Sequence, residues 1–203
     1  MSGQILLISG PSGSGKSTLL NRLLSEFENI YFSISATTRA KRDGEKEGVN
    51  YYFISEKDFK KDIQKGEFLE WAIVHGNYYG TPLSPVEEAI KHGKIVIFDI
   101  DVQGFHLAMK KYPDLITSVF VTTQSINELK DRLKARDTDS DEIIEDRLKN
   151  ALKEMNELEF YDYLIINDNF NEAYELLRAI FISRFAKVKK NNTQAIIKKW
   201  KEN

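Results

Sequence analysis

Apolar residues dominate four short stretches of the chain: Ile5–Ser9, Ile95–Ile100, Leu115–Val121 and Tyr163–Ile166. Runs of this length, bounded by breakers such as Gly10-Pro11 and Gly93, predict strands buried on both faces of a parallel sheet. Between them the period changes. From Ser140 to Phe160, Ile144, Leu148, Ala151, Leu152, Met155 and Leu158 recur at three- and four-residue spacings, while Glu145, Lys149, Lys153 and Glu157 take the other side. That stripe predicts an amphipathic helix, and Ser140-Asp141-Glu142 suits its positive end. Thr18–Phe27 also reads as helix. Buried strands alternating with helices predict a doubly wound α/β core, because parallel neighbours need crossover connections. Residues 34–83 break this rhythm: Asn50–Ile54 alternates, and Phe68–Val74 with Asn77–Gly80 reads as a hairpin. An inserted mixed α/β subdomain is the expectation for that segment.

Length agrees with one domain carrying a large insertion, since 203 residues exceed a minimal domain and fall short of two full ones. The 29 Lys and Arg against 31 Asp and Glu leave a net charge of −2, so no global basic field holds a nucleic-acid polymer. Charge is uneven, however: Arg184, Lys187, Lys189, Lys190, Lys198, Lys199 and Lys201 face one acid between 184 and 202, and predict a solvated basic tail. With no cysteine there is no disulfide, thiolate metal site or cysteine nucleophile. The N-terminal apolar run is too short for a signal segment and no run of 18 apolar residues follows, so a cytoplasmic protein without membrane contact is expected. His75, His92 and His106 lack metal-ligand spacing and read as structural or surface residues.

Candidate chemistry begins at the first strand's end. Gly10-Pro11-Ser12-Gly13-Ser14-Gly15-Lys16-Ser17 fits G-x-x-x-x-G-K-[ST] and lies between a buried strand and a helix. Glycines let backbone N–H groups approach phosphate oxygens, and the helix N-terminus adds a favourable dipole. Lys16 would reach the β- and γ-phosphates. Ser17 would offer its hydroxyl to Mg²⁺, with the strand-terminal Asp99 as the carboxylate for that metal, directly or through water. This loop alone leaves kinases, GTPases, ATPases and transporter subunits open.

A second anion site narrows the choice. Arg39 and Arg42 sit three apart in a Thr/Ser-rich turn and can fork a phosphate, with the Tyr51 phenol as a further donor. Glu70, Tyr79 and Thr81 supply a carboxylate, a phenol and a hydroxyl. A carboxylate beside small hydroxyls is what guanine requires, since its N1–H and N2 amino group are adjacent donors.

The motifs G-P-S-G-S-G-K-S-T at 10–18, S-x-T-T-R-x-x-R-x-G-E-x-x-G-x-x-Y at 35–51, and E-W, G-N-Y-Y-G-T and D-I-D-V-Q-G at 70–71, 76–81 and 99–104 together resemble the bacterial guanylate kinases. These are P-loop nucleoside monophosphate kinases, and the resemblance runs from Gly10 to about Asp168. It implies phosphoryl transfer from ATP to GMP, and to dGMP, with Mg²⁺, and small nucleotides as the partners; an oligomer is neither implied nor excluded. By the same resemblance GMP phosphate falls to Arg39, Arg42, Tyr51 and Tyr79, and its base to Ser35, Glu70, Thr81 and Asp101. The ATP site takes residues 10–18, including Thr18, with Asn167 beside the adenine ring. Lys16, Arg39, Asp99, Arg132, Arg136 and Arg147 form the catalytic set, the last three on a short lid. The division expected is a core of 1–33, 84–125 and 160–190, a GMP-binding segment of 34–83, a lid region of 126–159 and a basic tail of 191–203.

Two positions depart from the family: Asp137 stands where Gly is usual, and Phe105 where a small residue is usual. Three rivals compete. A GTPase would share the D-x-x-G of Asp101–Gly104 but read guanine with N-K-x-D, which the chain lacks. Peptide-binding relatives of these kinases lose the phosphate loop, which is intact here. A kinase for a ribose phosphate would not need Glu70 with Ser35 and Thr81.

Overall fold

The computed structural model describes residues 3–74, 76–135, 140–187 and 193–202. In chain order, β1 (Gln4–Ser9) leads through residues 10–15 into α1 (Lys16–Glu26) and then β2 (Ile30–Phe32). The insertion holds β3 (Ala36–Thr37), β4 (Tyr52–Phe53), α2 (Glu56–Lys65), β5 (Phe68–Val74) and β6 (Asn77–Pro82). The core resumes with α3 (Leu83–Lys91), β7 (Ile95–Asp99), α4 (Val102–Lys111) and β8 (Ile116–Thr122). Two helices follow, α5 (Ile126–Lys134) and α6 (Asp141–Met155), then β9 (Tyr163–Ile166), α7 (Phe170–Ser183) and α8 (Thr193–Glu202).

The main sheet is wholly parallel in the order β2-β7-β1-β8-β9. Its centre is β1, whose alternating side chains build two cores. Leu6 and Ile8 pack with Leu19, Leu20 and Leu23 of α1 and Leu177 and Phe181 of α7. Ile5 and Leu7 pack on the other face with Val86 of α3 and Phe105 and Ala108 of α4. Each of these β1 side chains is fully buried, contributing about 1.5–3 kcal/mol. The expected doubly wound α/β architecture is therefore present, with β1 ending where the strand order turns to either side. Ligands of open α/β sheets bind at such a switch point.

The second sheet, β4-β3-β6-β5, is mixed. Phe59 of α2 anchors it, fully buried and stacked on Phe68 at 4.3 Å between ring centroids. The sequence pattern did not single out α2, although its signals are ordinary: Ser55 accepts from the Asp58 N–H, and Gly66 closes the helix at φ 70°.

Three other differences have physical causes. The predicted helix from Ser140 to Phe160 ends at Met155. Beyond it the chain turns so that Glu157 meets His106 at 2.7 Å and Tyr161 stacks on Phe105 at 4.1 Å. Strand β9 is an edge strand and not buried on both faces; Ile165 is enclosed, but Leu164 and Ile166 stay 44% and 48% exposed. Arg184, counted with the basic tail, is only 1% exposed, because α7 passes into a short turn that lays its guanidinium over Phe181. No helix among the described residues is long and apolar enough to cross a membrane.

Candidate active site

The loop between β1 and α1 is shaped by backbone that only glycine tolerates well. At Gly10, φ is 134° and a Cβ would strike the Val121 carbonyl of the neighbouring strand. Gly15 has φ 91° and caps α1 without a side-chain hydrogen bond, so no side chain covers the positive end of the helix. Lys16 folds over the loop, donating to the carbonyls of Gly10 at 2.5 Å and Pro11 at 3.1 Å. Gly10, Ser12, Gly13, Gly15, Lys16, Ser17, Thr18, Asp99 and Asp101 line one cleft of about 340 Å³. Pro11 instead lines an apolar groove on the other side with Ile126, Leu129, Leu152 and Met155.

Asp99, at the end of β7, is placed in the cleft with Lys16 and Ser17. Burial pushes its carboxyl above the usual range, and the Lys16 charge opposes that rise. A half-buried carboxylate beside a hydroxyl and a phosphate cradle is an oxygen donor set that suits Mg²⁺, which takes few protein ligands and completes its shell with phosphate and water. Consistent with so sparse a set, no cluster of three or more His, Asp or Glu that would hold a metal by itself occurs among the described residues.

Asp101 connects this cleft to the insertion. It caps α4, accepting from the Gly104 N–H at 2.8 Å, and its charge acts on Glu70. Glu70 is turned inward near a register irregularity of β5, where Thr81 Oγ1 donates to its Oε1 at 2.5 Å. Burial is the main force raising the Glu70 carboxyl above its usual range; the Thr81 bond opposes it and the like charge of Asp101 adds to it. Thr81 is 1% exposed. A Cβ at Gly104 would lie 3.4 Å from Glu70 Cγ, so α4 approaches the carboxylate closely.

At the other end of the insertion, Arg39 Nη2 meets Glu45 Oε1 at 2.7 Å and its guanidinium lies 5.6 Å from the Tyr51 ring centre. Tyr79 bonds to Arg39 and its ring sits edge-on to Tyr51 at 5.9 Å. Arg42 contributes its backbone N–H to Glu45 Oε2 at 2.8 Å while its side chain is exposed. Arg39, Tyr51 and Tyr79 are thus brought together, with Arg42 at the rim. Ser35 is half-buried and its carbonyl accepts from the Tyr52 N–H. Glu45, to which the sequence assigns no role, is made the counter-ion of Arg39 by its two bonds. The signal was present, since an acid three residues after an arginine in a turn is placed to accept backbone N–H bonds.

Helices α5 and α6 share a small core of Leu129, Leu133, Ile144 and Ala151. Leu129 and Leu133 also press on Gly13, where a Cβ would lie 3.2 and 3.0 Å from them. Arg147 Nη1 donates to Ser12 Oγ at 2.8 Å. Arg132 Nη2 lies 2.5 Å from Glu128 Oε1 and donates to the Asn167 carbonyl at 2.6 Å. Arg136 and Asp137 lie outside the described residues, as does His75. Phe105, the other departure, is buried on the core face of α4 and stacks on Tyr161. Asn167 is buried and donates its side-chain amide to the Ser14 carbonyl at 2.8 Å, which places it against the phosphate loop.

The chain is similar to proteins of known family. A family profile described as Guanylate kinase matches residues 2–184. The chain is 55% identical to guanylate kinase of Campylobacter jejuni (strain RM1221) over 203 residues, covering 100% of this chain and 99% of that protein. It is 51% identical to guanylate kinase of Helicobacter pylori (strain ATCC 700392 / 26695), covering 97% and 95%. Among solved structures, guanylate kinase from Anaplasma phagocytophilum matches with a TM-score of 0.71 at 35% identity, over 92% of this chain and 88% of that one.

Proposed function

Since the chain belongs to the guanylate kinase family and moves the γ-phosphoryl group of ATP to GMP, giving ADP and GDP, we propose how its own residues divide that work. The observation that supports the division best is Asp101, which lines the phosphate-loop cleft and also acts on the buried Glu70–Thr81 pair. Donor and acceptor sites are therefore adjacent, as direct transfer requires.

Residues 10–18 cradle the ATP phosphates, with Lys16 leaving its carbonyl partners to meet them. Ser17 and Asp99, the latter directly or through water, would hold Mg²⁺, which would neutralise charge on the donor phosphates. The segment 34–83 takes GMP. Arg39, Arg42, Tyr51 and Tyr79 hold its phosphate, which displaces Glu45 from the arginine fork. Ser35, Glu70, Thr81 and Asp101 read its base, Glu70 accepting from the adjacent guanine donors. The lid of 126–159 brings Arg132, Arg136 and Arg147 to the charge that develops on the moving phosphoryl group. The acceptor phosphate oxygen is already ionised, so no general base is needed. Closure of the lid excludes water, which would otherwise accept the phosphoryl group.

The test is ADP release from ATP with GMP, dGMP, AMP, UMP, CMP or ribose bisphosphate as acceptor, in wild type and Lys16→Ala. Transfer to GMP and dGMP that Lys16→Ala abolishes without unfolding is the expected result. Preference for AMP or ribose bisphosphate would overturn the base assignment, and an active Lys16→Ala would overturn the role of the loop.

A further inference from the structure

We propose that Glu154 of α6 sets the form in which the donor is accepted: its carboxylate favours ATP complexed with Mg²⁺ over ATP without a metal. The proposal rests on the assignment of residues 10–18 to the donor phosphates and of Ser17 and Asp99 to the metal.

Arg147, Ala151 and Glu154 follow one another along α6 at spacings of four and three, and residues so spaced share one helix face. Arg147 shows where that face looks. It donates to Ser12 Oγ at 2.8 Å, and Ser12 lines the phosphate-loop cleft. Ala151, between the two charged residues, is 4% exposed and packs in the small core shared with α5. Glu154 lies about 10 Å further along the helix axis. There it comes under the charges of Lys16 and Asp101, which line the same cleft. Glu154 and Asp101 also act together on the Tyr161 phenol, which places the two carboxylates in one neighbourhood.

The Glu154 side chain is half-buried, yet its carboxylate takes no hydrogen bond and forms no close ion pair among the described residues. Burial is the main force raising this carboxyl above its usual range; the Lys16 charge opposes that rise and Asp101 adds to it. A desolvated carboxylate without a donor opposes folding, so its position needs another reason. The donor supplies one. A metal-free triphosphate brings only repulsion to Asp99, Asp101 and Glu154, whereas a bound divalent cation attracts all three. Because no group of three carboxylates close enough to hold a metal occurs among the described residues, Glu154 acts on the cation through its field and through water. Repulsion against the wrong form is one of the two ways a site gains specificity.

The test measures equilibrium binding by calorimetry at pH 8, without GMP, for ATP in EDTA and ATP in excess Mg²⁺. Wild type is compared with Glu154→Gln, Glu154→Asp and, as a control three residues on, Glu157→Gln, after thermal melting confirms each fold. Glu154→Gln should bind metal-free ATP roughly 5- to 30-fold more tightly, the size expected for removing one repulsive charge at short range. It should bind the Mg²⁺ complex no more tightly than wild type. Glu154→Asp and Glu157→Gln should keep the wild-type ratio of the two dissociation constants within about threefold. An unchanged ratio in Glu154→Gln overturns the proposal, as does equal tightening of both forms. Weaker binding of metal-free ATP would make Glu154 a support for Lys16 and overturns it as well.

Wild-type protein supplies a reading that needs no variant. With ATP bound and Mn²⁺ replacing Mg²⁺, the Glu154 side-chain carboxyl carbon should broaden more in NMR spectra than that of Glu157. Equal broadening, or none at Glu154, overturns the proposal. If Lys16→Ala remains active, the loop assignment itself fails; if Lys16→Ala is inactive and Glu154→Gln keeps the wild-type ratio, only the role of Glu154 fails.

Discussion

Replacing Glu70 by Gln separates what guanine gains from what the fold loses. In the free protein the Glu70 carboxylate is desolvated, beside the like charge of Asp101, and accepts a hydrogen bond from Thr81. Its pKa is therefore raised from the usual 4.5. The folded state binds this proton more tightly than the unfolded chain, so ionised Glu70 opposes folding above its folded pKa, and stability recovers as pH falls from there toward 4.5. Gln removes the charge and keeps an acceptor for Thr81, so Glu70→Gln should melt higher than wild type at pH 7. Binding goes the other way. Two guanine donors lose a charged acceptor, and the Gln amide turns an N–H toward one of them. Hydrogen bonds to charged groups contribute about 1.5–3 kcal/mol each; allowing for the relief of desolvation, the net loss is about 2–4 kcal/mol, or roughly 30- to 700-fold in KM for GMP. KM for ATP should stay within about twofold. The assay is ADP release against GMP concentration at several pH values. In wild type, KM for GMP should rise about tenfold per unit as pH falls below the raised Glu70 pKa, and this limb should vanish in Glu70→Gln. Equal losses for both nucleotides, or a pH limb that survives the substitution, would refute the guanine assignment.

Arg184→Met should stabilise the protein: among the described residues neither terminal guanidinium nitrogen has a hydrogen-bond partner, both are buried, and burial lowers the pKa to about 9. The gain expected is about 1–4 kcal/mol, a Tm several degrees higher by calorimetry, and a fall in Tm would show that the cation has a stabilising partner. Gly15→Ala should raise KM for ATP at least about tenfold with GMP affinity retained, because φ 91° and the collision with Asn167 both oppose a Cβ; an unchanged KM would refute the close-approach argument.

What could be read in the sequence were features determined locally. The strand-loop-helix at 4–26 follows from an apolar run, glycines and a helix former in succession, and the observed elements begin and end within a few residues of the expectation. The α/β class follows from the same alternation. What could not be read were consequences of tertiary neighbours. The pattern of β9 matches that of a central strand, and only its place at the sheet edge exposes Leu164 and Ile166. Arg184 looks like its basic neighbours until α7 seats it on Phe181. At the site, Glu70 and Thr81 are eleven residues apart, and a strand register joins them; Asn167 and Ser14 are separated by 153 residues. Resemblance supplied the residues in such cases, and geometry supplied their partners.

Those partners also explain how a chain of net charge −2 carries a strongly cationic site. Two unit charges 4 Å apart repel by about 4 kcal/mol at an effective dielectric constant of 20, so clustered cations need compensation before phosphates arrive. The structure supplies it one cation at a time. Lys16 lies on the Gly10 and Pro11 carbonyls, Arg39 on Glu45, Arg132 on Glu128 and the Asn167 carbonyl, and Arg147 on Ser12. On the proposed assignment, nucleotide binding at this site is an exchange of internal acceptors for phosphate oxygens. A single weak anion gains little from such an exchange, because each displaced acceptor must be resolvated or re-paired. ATP and GMP supply many oxygens in fixed positions and can replace several acceptors at once. The internal acceptors should therefore contribute to selectivity for nucleotides over simple anions. Removing one, as in Glu45→Gln, should tighten inorganic phosphate and sulfate binding relative to GMP, measured as competitive inhibition against GMP. Equal inhibition in wild type and variant would show that Glu45 does not occupy the phosphate's place.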